Sequence, residues 1–432
     1  MKKNVFQTKD MVWLLDPKAT MLGPVTDGGT IIANTSPGCW GPMITPDYPS
    51  SHEVTRPVAV EGAEVGDAIA LRIRKVNVLS VATVSGVHQA VEGHFVGDPA
   101  VAPRCPVCDI INPPTRLEGT GEDCIRCQKC GNPVTPFELV SGYTMVFDEE
   151  KNTAITVSSE ACKTIANRAY EFAALPPESN QYPINLWAKA DLPGIITRVR
   201  PTIGNIGSCP AVQIPSSRNA GDVGACLIGA EHQYSLTAED FLYRTDGHMD
   251  SDEVREGAIL IVPVKVSGAG IYIGDVHAMQ GDGEIAGHTA DVSAQVTIKV
   301  KVIKGLKLDG PILLPNKEDL PFLAQPYDAT LLAKARKLAR QYQTQLEEDV
   351  FPLQVIGSGT TLDAAVVNGL TRMSELLRIS LDEVKNRATI AGSIMISRVP
   401  GMVQVTAMVP RSKIETLGIV HLFEEQYGSE NK

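Results

Sequence analysis

The stretch GDVHAMQGDGE, residues 274–284, gathers side chains that bind metals or move protons. Asp275 and His277 stand two residues apart, and on a strand this spacing places both side chains on one face. A carboxylate oxygen and an imidazole nitrogen together suit Zn²⁺ or a similar divalent ion. Glu284 follows a flexible Gly281–Gly283 turn and would serve as a general base if it returned to that face. The residues alone leave open whether this is a hydrolytic metal site or a polar hairpin turn.

A second set of candidate ligands consists of cysteines. Cys105-x2-Cys108 and Cys127-x2-Cys130 form two knuckles separated by 18 residues, and a glycine follows the second knuckle. Four thiolates at this spacing can surround Zn²⁺, so we predict a structural zinc ribbon, with an iron–sulfur cluster or a redox dithiol as alternatives. Cys124 forms a third CxxC with Cys127, which leaves the identity of the four ligands open, although the glycine favours Cys127 and Cys130.

Composition excludes several classes of protein. The chain has 432 residues, enough for two or three domains, and a formal charge of −11, which argues against nucleic acid or an anionic membrane as partner. Residues 104–138 carry four basic and five acidic side chains, so the predicted ribbon has no basic footprint. No run of 18 apolar residues and no apolar signal-peptide core is present, which predicts a cytoplasmic protein.

The elements that must position these residues are mainly strands up to about residue 325. AIALRIRKVNVL, residues 68–79, alternates apolar and other side chains, and its phase changes after Lys75, which indicates a bulge or bend. Two further strands, residues 257–268 and 293–306, flank the acidic stretch and would be joined by it.

Helical periodicity begins after about residue 325. Residues 328–350 predict a helix with one buried apolar face, formed by Leu331, Leu332, Ala335, Leu338, Ala339 and Tyr342. Thr361 is a candidate N-cap of a second helix. A third helix is predicted over residues 380–396, with Ser380 and Glu383 as a capping box, and a strand over residues 402–410.

Several motifs, in order, resemble those of the acetamidase/formamidase family. IYIGDVHAMQGDGEIAG is similar to the family's G-D-x-H-x-x-Q-G-D-G-E signature. The other similar segments are SSHEVTRPVAVEGAEVGDAIALRI, RPTIGNIGSCPA, RTDGHMDSDEVREGAILIVPVKVSGA and GSGTTLDAAVVNGLTRMSELL. The resemblance covers nearly the whole chain except the cysteine-rich insert.

This resemblance implies a β-rich α+β fold with a C-terminal helix-and-strand part and a four-cysteine zinc-ribbon insert. We expect four segments: residues 1–103 and 138–325 as the β-rich amidase parts, 104–137 as the ribbon, and 326–432 as the C-terminal α/β part. The implied activity is metal-dependent hydrolysis of a small amide, such as formamide or acetamide, to carboxylate and ammonia. We also expect a homo-oligomer.

Site residues follow from the matching positions. The implied ligands of a catalytic divalent metal, Zn²⁺ by preference, are His52, Asp250, Asp275 and His277. The implied catalytic residues are Glu284 as general base, with Gln280 and Asp282 orienting ligands or substrate. Backbone N–H groups of the glycine turn are candidate oxyanion donors, and substrate contacts are assigned to His248, Gly281 and Gly283.

Three departures from the family pattern keep other functions open. His248 stands where the family has Asn, Arg56 where it has Gly, and Cys209 where it has Ala. The first two raise the alternative of a cyclic amide or another small nitrogen compound as substrate. A non-catalytic metal-binding scaffold is a third interpretation.

Overall fold

The computed structural model describes residues 3–38, 52–119, 122–179, 181, 189–221 and 224–428, with the side chains of Lys3, Glu122 and Ala225 left out. Ser50 and Ser51, which begin the early motif, lie outside these residues. The strands are β1 Lys3–Thr8, β2 Met11–Val12, β3 Leu14–Leu15, β4 Leu22–Thr35, β5 Val54–Thr55, β6 Val58–Val60, β7 Ala68–Val78, β8 Ala82–Ala90, β9 Thr115–Leu117, β10 Ile125–Cys127, β11 Phe137–Phe147, β12 Thr153–Thr156, β13 Ile196–Arg198, β14 Thr202–Ser208, β15 Ile214–Pro215, β16 Ile259–Pro263, β17 Ile271–His277, β18 Asp291–Val292, β19 Ala294–Ile303, β20 Ile312–Leu314, β21 Val350–Ser358, β22 Gly392–Arg398 and β23 Met402–Pro410. The α-helices are α1 Ser159–Ala166, α2 Ala169–Ala173, α3 Gly224–Leu227, α4 Ala329–Tyr342, α5 Leu362–Leu377, α6 Leu381–Ala391, α7 Arg411–Glu415 and α8 Val420–Tyr427.

One large sheet organises the described chain. Its path runs β2-β5-β17-β6-β4-β19-β7-β16-β20-β21-β23-β22, with β1 beside β4, and with β14 and β18 beside β17. A four-stranded sheet, β13-β12-β11-β8, and two strand pairs, β9 with β10 and β3 with β15, complete the strands. The sheet-dominated α+β class therefore agrees with the prediction, whereas the four segment boundaries stay a prediction.

The two largest apolar cores among the described residues follow from strand and helix patterning. The larger core packs alternate residues of β4, β7 and β19 against β16 and β17. The second lies where α5 and α6 cover β21 and β23, which buries Leu370, Met373 and Val384. The Thr361 and Ser380 side chains accept hydrogen bonds from the N–H groups of Ala364 and Glu383, so both predicted N-caps are confirmed.

The strand predictions were accurate in pattern and less so in extent. The register between β7 and β19 shifts between residues 73 and 75, so the predicted bulge is confirmed. The strand predicted over residues 257–268 is limited to β16. An additional strand, β17, lies between β16 and β19 in the chain, and it contains the first four residues of the acidic stretch.

The C-terminal helices differ from the prediction at two places. The helix over residues 380–396 ends at Ala391, because Gly392–Arg398 pairs with β23 as an edge strand. Helix α4 ends at Tyr342, and its predicted buried face is largely exposed, Leu338 by 56%. Helical periodicity identified the helix and its apolar stripe, but it did not show whether another element covers that stripe. Among the described residues, no helix has both the length and the apolar character that crossing a membrane requires.

Candidate active site

Strand β17 holds the two central residues of the site. Asp275 and His277 lie at its end, buried between β14, β5 and β18, and Asp275 Oδ1 is 3.4 Å from His277 Nε2. Asp275 has a φ of 54°, a conformation uncommon for a residue with a side chain. The predicted placement of the two side chains together thus agrees with the structure, on a strand that is distorted at the first of them.

His248 and Asp250, from the segment that precedes β16, complete this cluster. His248 Nε2 lies 3.1 Å from an oxygen of Asp250 and 3.1 Å from an oxygen of Asp275. Asp250 Oδ1 is 3.9 Å from His277 Nε2. Gly204 on β14 makes this approach possible, because a Cβ at that position would lie 2.3 Å from Asp250 Oδ1.

His52, in the segment that precedes β5, approaches the carboxylate of Asp275. Its Nδ1 lies 3.5 Å from Asp275 Oδ2. Burial lowers the pKa of His52 to about 4, so the imidazole is neutral and able to bind a metal. All four predicted metal ligands therefore lie in one cluster, which His248 joins as a fifth member.

The hydrogen bonds behind two imidazoles determine which nitrogen faces the cluster. Gln280 Oε1 is 2.7 Å from His277 Nδ1, and the Gln280 amide nitrogen donates to the carbonyls of Asp250 and Ser397. Because that nitrogen is a donor, Oε1 must accept, and His277 Nδ1 carries the proton. His248 Nδ1 donates in the same way to the Ser217 carbonyl at 2.8 Å. Both Nε2 atoms thus face carboxylate oxygens.

The carboxylates of Asp250 and Asp275 require positive charge between them and the neighbouring imidazoles. Two imidazole Nε2 atoms face carboxylates, and Asp250 Oδ1 and Asp275 Oδ1 are buried without a hydrogen-bond partner among the described residues. Burial alone would lower the pKa of His248, but the charge of Asp250 raises it to about 10. The ligand atoms fall into two groups that share Asp275, and within each group they lie within 4.8 Å of one another. The donor set therefore fits a divalent cation, bound in exchange for the imidazolium protons.

Glu284 borders the cavity in front of this cluster. It is 9% exposed, and burial first, then the charge of Asp250, raises its pKa well above the usual value. The cavity has a volume of about 190 Å³. The described residues that line it are His52, His88, Ala100, Phe137, Arg218, His248, Asp250, Asp275, Glu284, Gly287, His288, Asp291 and Arg398. A buried carboxylate next to the candidate ligands is what a general base requires.

The other residues of the signature lie differently. Gln280 orients His277, as described above. Asp282 and Gly281 are exposed, and Gly283 is buried with its carbonyl accepting from the Val399 N–H; the three are not among the described residues that line the cavity. Asp282 instead approaches Asp252, where burial first and the Asp282 charge second raise the pKa of Asp252 to about 6. The turn therefore offers no support for its predicted oxyanion or substrate contacts.

Several residues of the site were not predicted. Arg398, on β22, places Nε 3.1 Å from Asp250 Oδ2, and Asp291 Oδ1 lies 3.3 Å from His277 Nε2. Asp291 sits opposite His277 in the β17–β18 pair, so a hairpin prediction after the signature would have found it. His88 and His288 also line the cavity, with ring nitrogens 3.1 Å apart. No local pattern in the sequence indicates Arg398.

The four predicted ribbon cysteines also come together. Cys105, Cys108, Cys127 and Cys130 place their sulfur atoms within 4.8 Å of one another. The Cys108 N–H donates to the Cys105 sulfur at 3.4 Å. Cys124 lies outside this group, and burial raises its pKa to about 11. The described cluster thus has the donor set of a structural zinc site.

Comparison with known proteins identifies the family and the fold of the chain. The model of the acetamidase/formamidase family matches residues 27–239 and 242–415. A putative formamidase of Schizosaccharomyces pombe is 35% identical over 86 residues, 19% of this chain and 21% of that protein, so the match spans about a fifth of the curated relative. Two crystal structures share the fold at 18% identity. One is a predicted acetamidase/formamidase of Thermoanaerobacter tengcongensis, with a TM-score of 0.54 over 97% of this chain and 99% of that one. The other is an acetamidase of Bacillus halodurans, with a TM-score of 0.51 over 96% of this chain and 99% of that one.

Proposed function

Because the chain belongs to the acetamidase/formamidase family, we propose that it hydrolyses the C–N bond of a small linear amide to carboxylate and ammonia. The observation that carries this proposal is the cavity in which Glu284 borders the His52, His248, Asp250, Asp275 and His277 cluster. A cavity of about 190 Å³ corresponds to roughly six water molecules, a size that suits a small substrate.

A divalent cation, for which this mixed set of imidazoles and carboxylates favours Zn²⁺, would polarise the substrate carbonyl and acidify a water molecule in the cavity. His52, His248 and Asp275 form one candidate ligand group, and Asp250, Asp275 and His277 form the other. Gln280 and the Ser217 carbonyl hold His277 and His248 with Nε2 toward the cluster. Such outer contacts orient ligands and raise metal affinity.

Glu284 performs the proton transfers in this proposal. Its carboxylate takes a proton from the attacking water and later gives it to the departing nitrogen, which leaves as ammonia. A carboxyl group whose pKa lies above its usual value is a stronger base, which suits this double role. Burial raises the pKa of Asp250, but the positive charges of His248 and Arg398 outweigh it and keep that carboxylate ionised.

The cysteine cluster is assigned a structural role. Cys105, Cys108, Cys127 and Cys130 would hold one Zn²⁺, which replaces a hydrophobic core that this small insert is too short to build. Homo-oligomeric assembly and a cytoplasmic location remain predictions from the sequence.

Of the two departures from the family pattern that raised the cyclic-amide alternative, one lies at the cavity. Arg56 is exposed and is not among the described residues that line the cavity, and His248 lies with the candidate ligands. Arg56 therefore gives no support for a different substrate, whereas His248 lines the cavity and the experiment below decides between linear and cyclic amides. The third interpretation, a non-catalytic metal-binding scaffold, differs from both enzymes because it predicts no amide hydrolysis.

Ammonia release from linear amides and amino-acid formation from cyclic amides, both measured with metal-loaded protein, test the proposal. We expect hydrolysis of at least one short linear amide, and loss of activity with chelator that returns on adding Zn²⁺. Ring opening of cyclic amides alone, measured as the amino acid that forms, would select the alternative substrate. Absence of hydrolysis across the whole panel, with metal bound, would select the scaffold.

A further inference from the structure

The cysteine-rich insert begins and ends beside the cavity. It lies within the connection between β8 and β11, residues 91–136. These two strands pair antiparallel, with Ala90 opposite Phe137. Before the first cysteine the chain forms a short hairpin, in which the Val96 N–H donates to the Ala102 carbonyl at 3.0 Å and the Arg104 N–H to the His94 carbonyl at 2.6 Å. Residues 97–101 form the tip of this hairpin.

The hairpin tip is fixed to the body of the protein by a buried ion pair. Asp98 is fully buried, and its carboxylate accepts from Arg218 Nε at 2.5 Å and Nη2 at 3.1 Å. The same carboxylate accepts from the Ala100 N–H at 2.9 Å, which holds the turn closed. Arg218 directly follows Ser217, whose carbonyl orients His248. The tip is therefore anchored to the segment that holds a candidate ligand.

The hairpin supplies an apolar wall to an otherwise polar cavity. Among the described lining residues, the apolar side chains are Ala100 and Phe137, and the others are charged or polar, apart from Gly287. Ala100 is 2% exposed and lies in the hairpin tip, and Phe137 is the first residue of β11 after the insert. Both apolar side chains thus depend on the insert or on its junction with the sheet.

We propose that the connection between β8 and β11, residues 91–136, determines substrate size, with Ala100 in its hairpin tip and Phe137 directly after it as the specificity-determining residues that contact the acyl group. This inference rests on the proposed amide hydrolysis. The amide group must face the ligand cluster and Glu284, so the hydrocarbon part of a substrate is directed to the apolar wall. In a cavity of about 190 Å³, a valine side chain at residue 100 removes a large share of the room for that hydrocarbon.

The test compares kcat/KM for formamide, acetamide, propionamide and butyramide in the wild type, Ala100→Val and Ala100→Gly. We expect Ala100→Val to lower kcat/KM about 10-fold or more for the longest amide that the wild type accepts, since one methylene in a pocket changes selectivity by about 10–200-fold. Formamide, which has no hydrocarbon on its carbonyl, should change little. Ala100→Gly should shift the preference toward longer amides.

Ala90→Val provides the matched control, because Ala90 is exposed on β8, opposite Phe137, and is not among the described lining residues. Its profile across the four amides should equal that of the wild type. If the wild type hydrolyses amides and both Ala100 variants, folded by circular dichroism, keep its chain-length profile, the inference is wrong while the amidase proposal stands. If the wild type hydrolyses none of the amides, both proposals fail.

Discussion

Replacing Glu284 by glutamine removes a proton acceptor while keeping the shape of the side chain. The residue borders the cavity next to the acidic ligand cluster, with 9% of its surface exposed. General-base catalysis contributes about 10²–10⁴-fold, so we expect kcat for amide hydrolysis to fall by that factor, or about 3–5 kcal/mol in activation free energy. A residue in an ordinary polar turn would give an almost silent substitution.

The same substitution should not destabilise the metal-free protein. Burial and the charge of Asp250 raise the pKa of Glu284 in the folded state. An acid with a raised pKa costs folding free energy above its unfolded pKa, because the folded state resists its ionisation, and this cost disappears below that pKa. At neutral pH glutamine removes the cost, so the Tm of the metal-free variant should equal or exceed that of the wild type.

The assay measures ammonia release at saturating substrate, metal content and thermal unfolding on the same preparation. Asp282→Asn is the matched control, since Asp282 is an exposed carboxylate two residues away and should retain wild-type kcat. Asp275→Asn and His277→Ala should lose metal and activity together. Wild-type kcat in Glu284→Gln would refute the assignment of the base, and loss of metal in that variant would make Glu284 a ligand instead.

Three further predictions follow from contacts around the site and in the insert. Gln280→Leu should weaken metal binding about 10–100-fold in a chelator competition, because His277 loses the partner that fixes its proton; unchanged affinity would contradict this role. Cys105→Ser should release the ribbon zinc and lower the Tm while metal at the second site stays bound; full zinc retention would exclude this ligand. Asp246→Asn should cost about 3–5 kcal/mol of unfolding free energy at pH 7, because it removes the buried carboxylate that Arg244 and Arg372 share. Burial raises the pKa of Asp246, but the guanidinium groups of Arg244 and Arg372 outweigh it and hold this pKa below its usual value. The stabilisation is therefore present above about pH 4 and is lost as the pH falls further. In urea titrations, the unfolding free energy of the variant should depend less on acid pH than that of the wild type.

Local patterns in the sequence predicted what depends on neighbouring residues. Apolar alternation located the bulge in β7, and hydroxyl residues located the starts of α5 and α6. The spacing of Asp275 and His277 predicted their shared face, and the two CxxC knuckles predicted the four-cysteine cluster. Each of these depends on the geometry of one strand, turn or helix end.

Contacts between distant segments could not be predicted in this way. Residues 392–398 have a helix-compatible pattern, yet they form β22 because β23 offers an unpaired edge. This pairing brings Arg398 to Asp250, which no spacing in the sequence indicates. His88 and Phe137 border the cavity because the insert connects their strands, and the exposed face of α4 reflects an absence of covering elements among the described residues.

The two candidate metal centres differ in how much of the chain each requires, and this difference sets an order of events during synthesis. The four cysteines lie between residues 105 and 130, so a nascent chain can assemble their cluster once this short segment has left the ribosome. The other centre draws residues from His52 to Asp291 and adds Arg398 from β22, so it is complete only when the C-terminal strands join the sheet. The proposed zinc of the insert can therefore bind during translation, whereas the proposed metal of the second centre can bind only after the chain has folded.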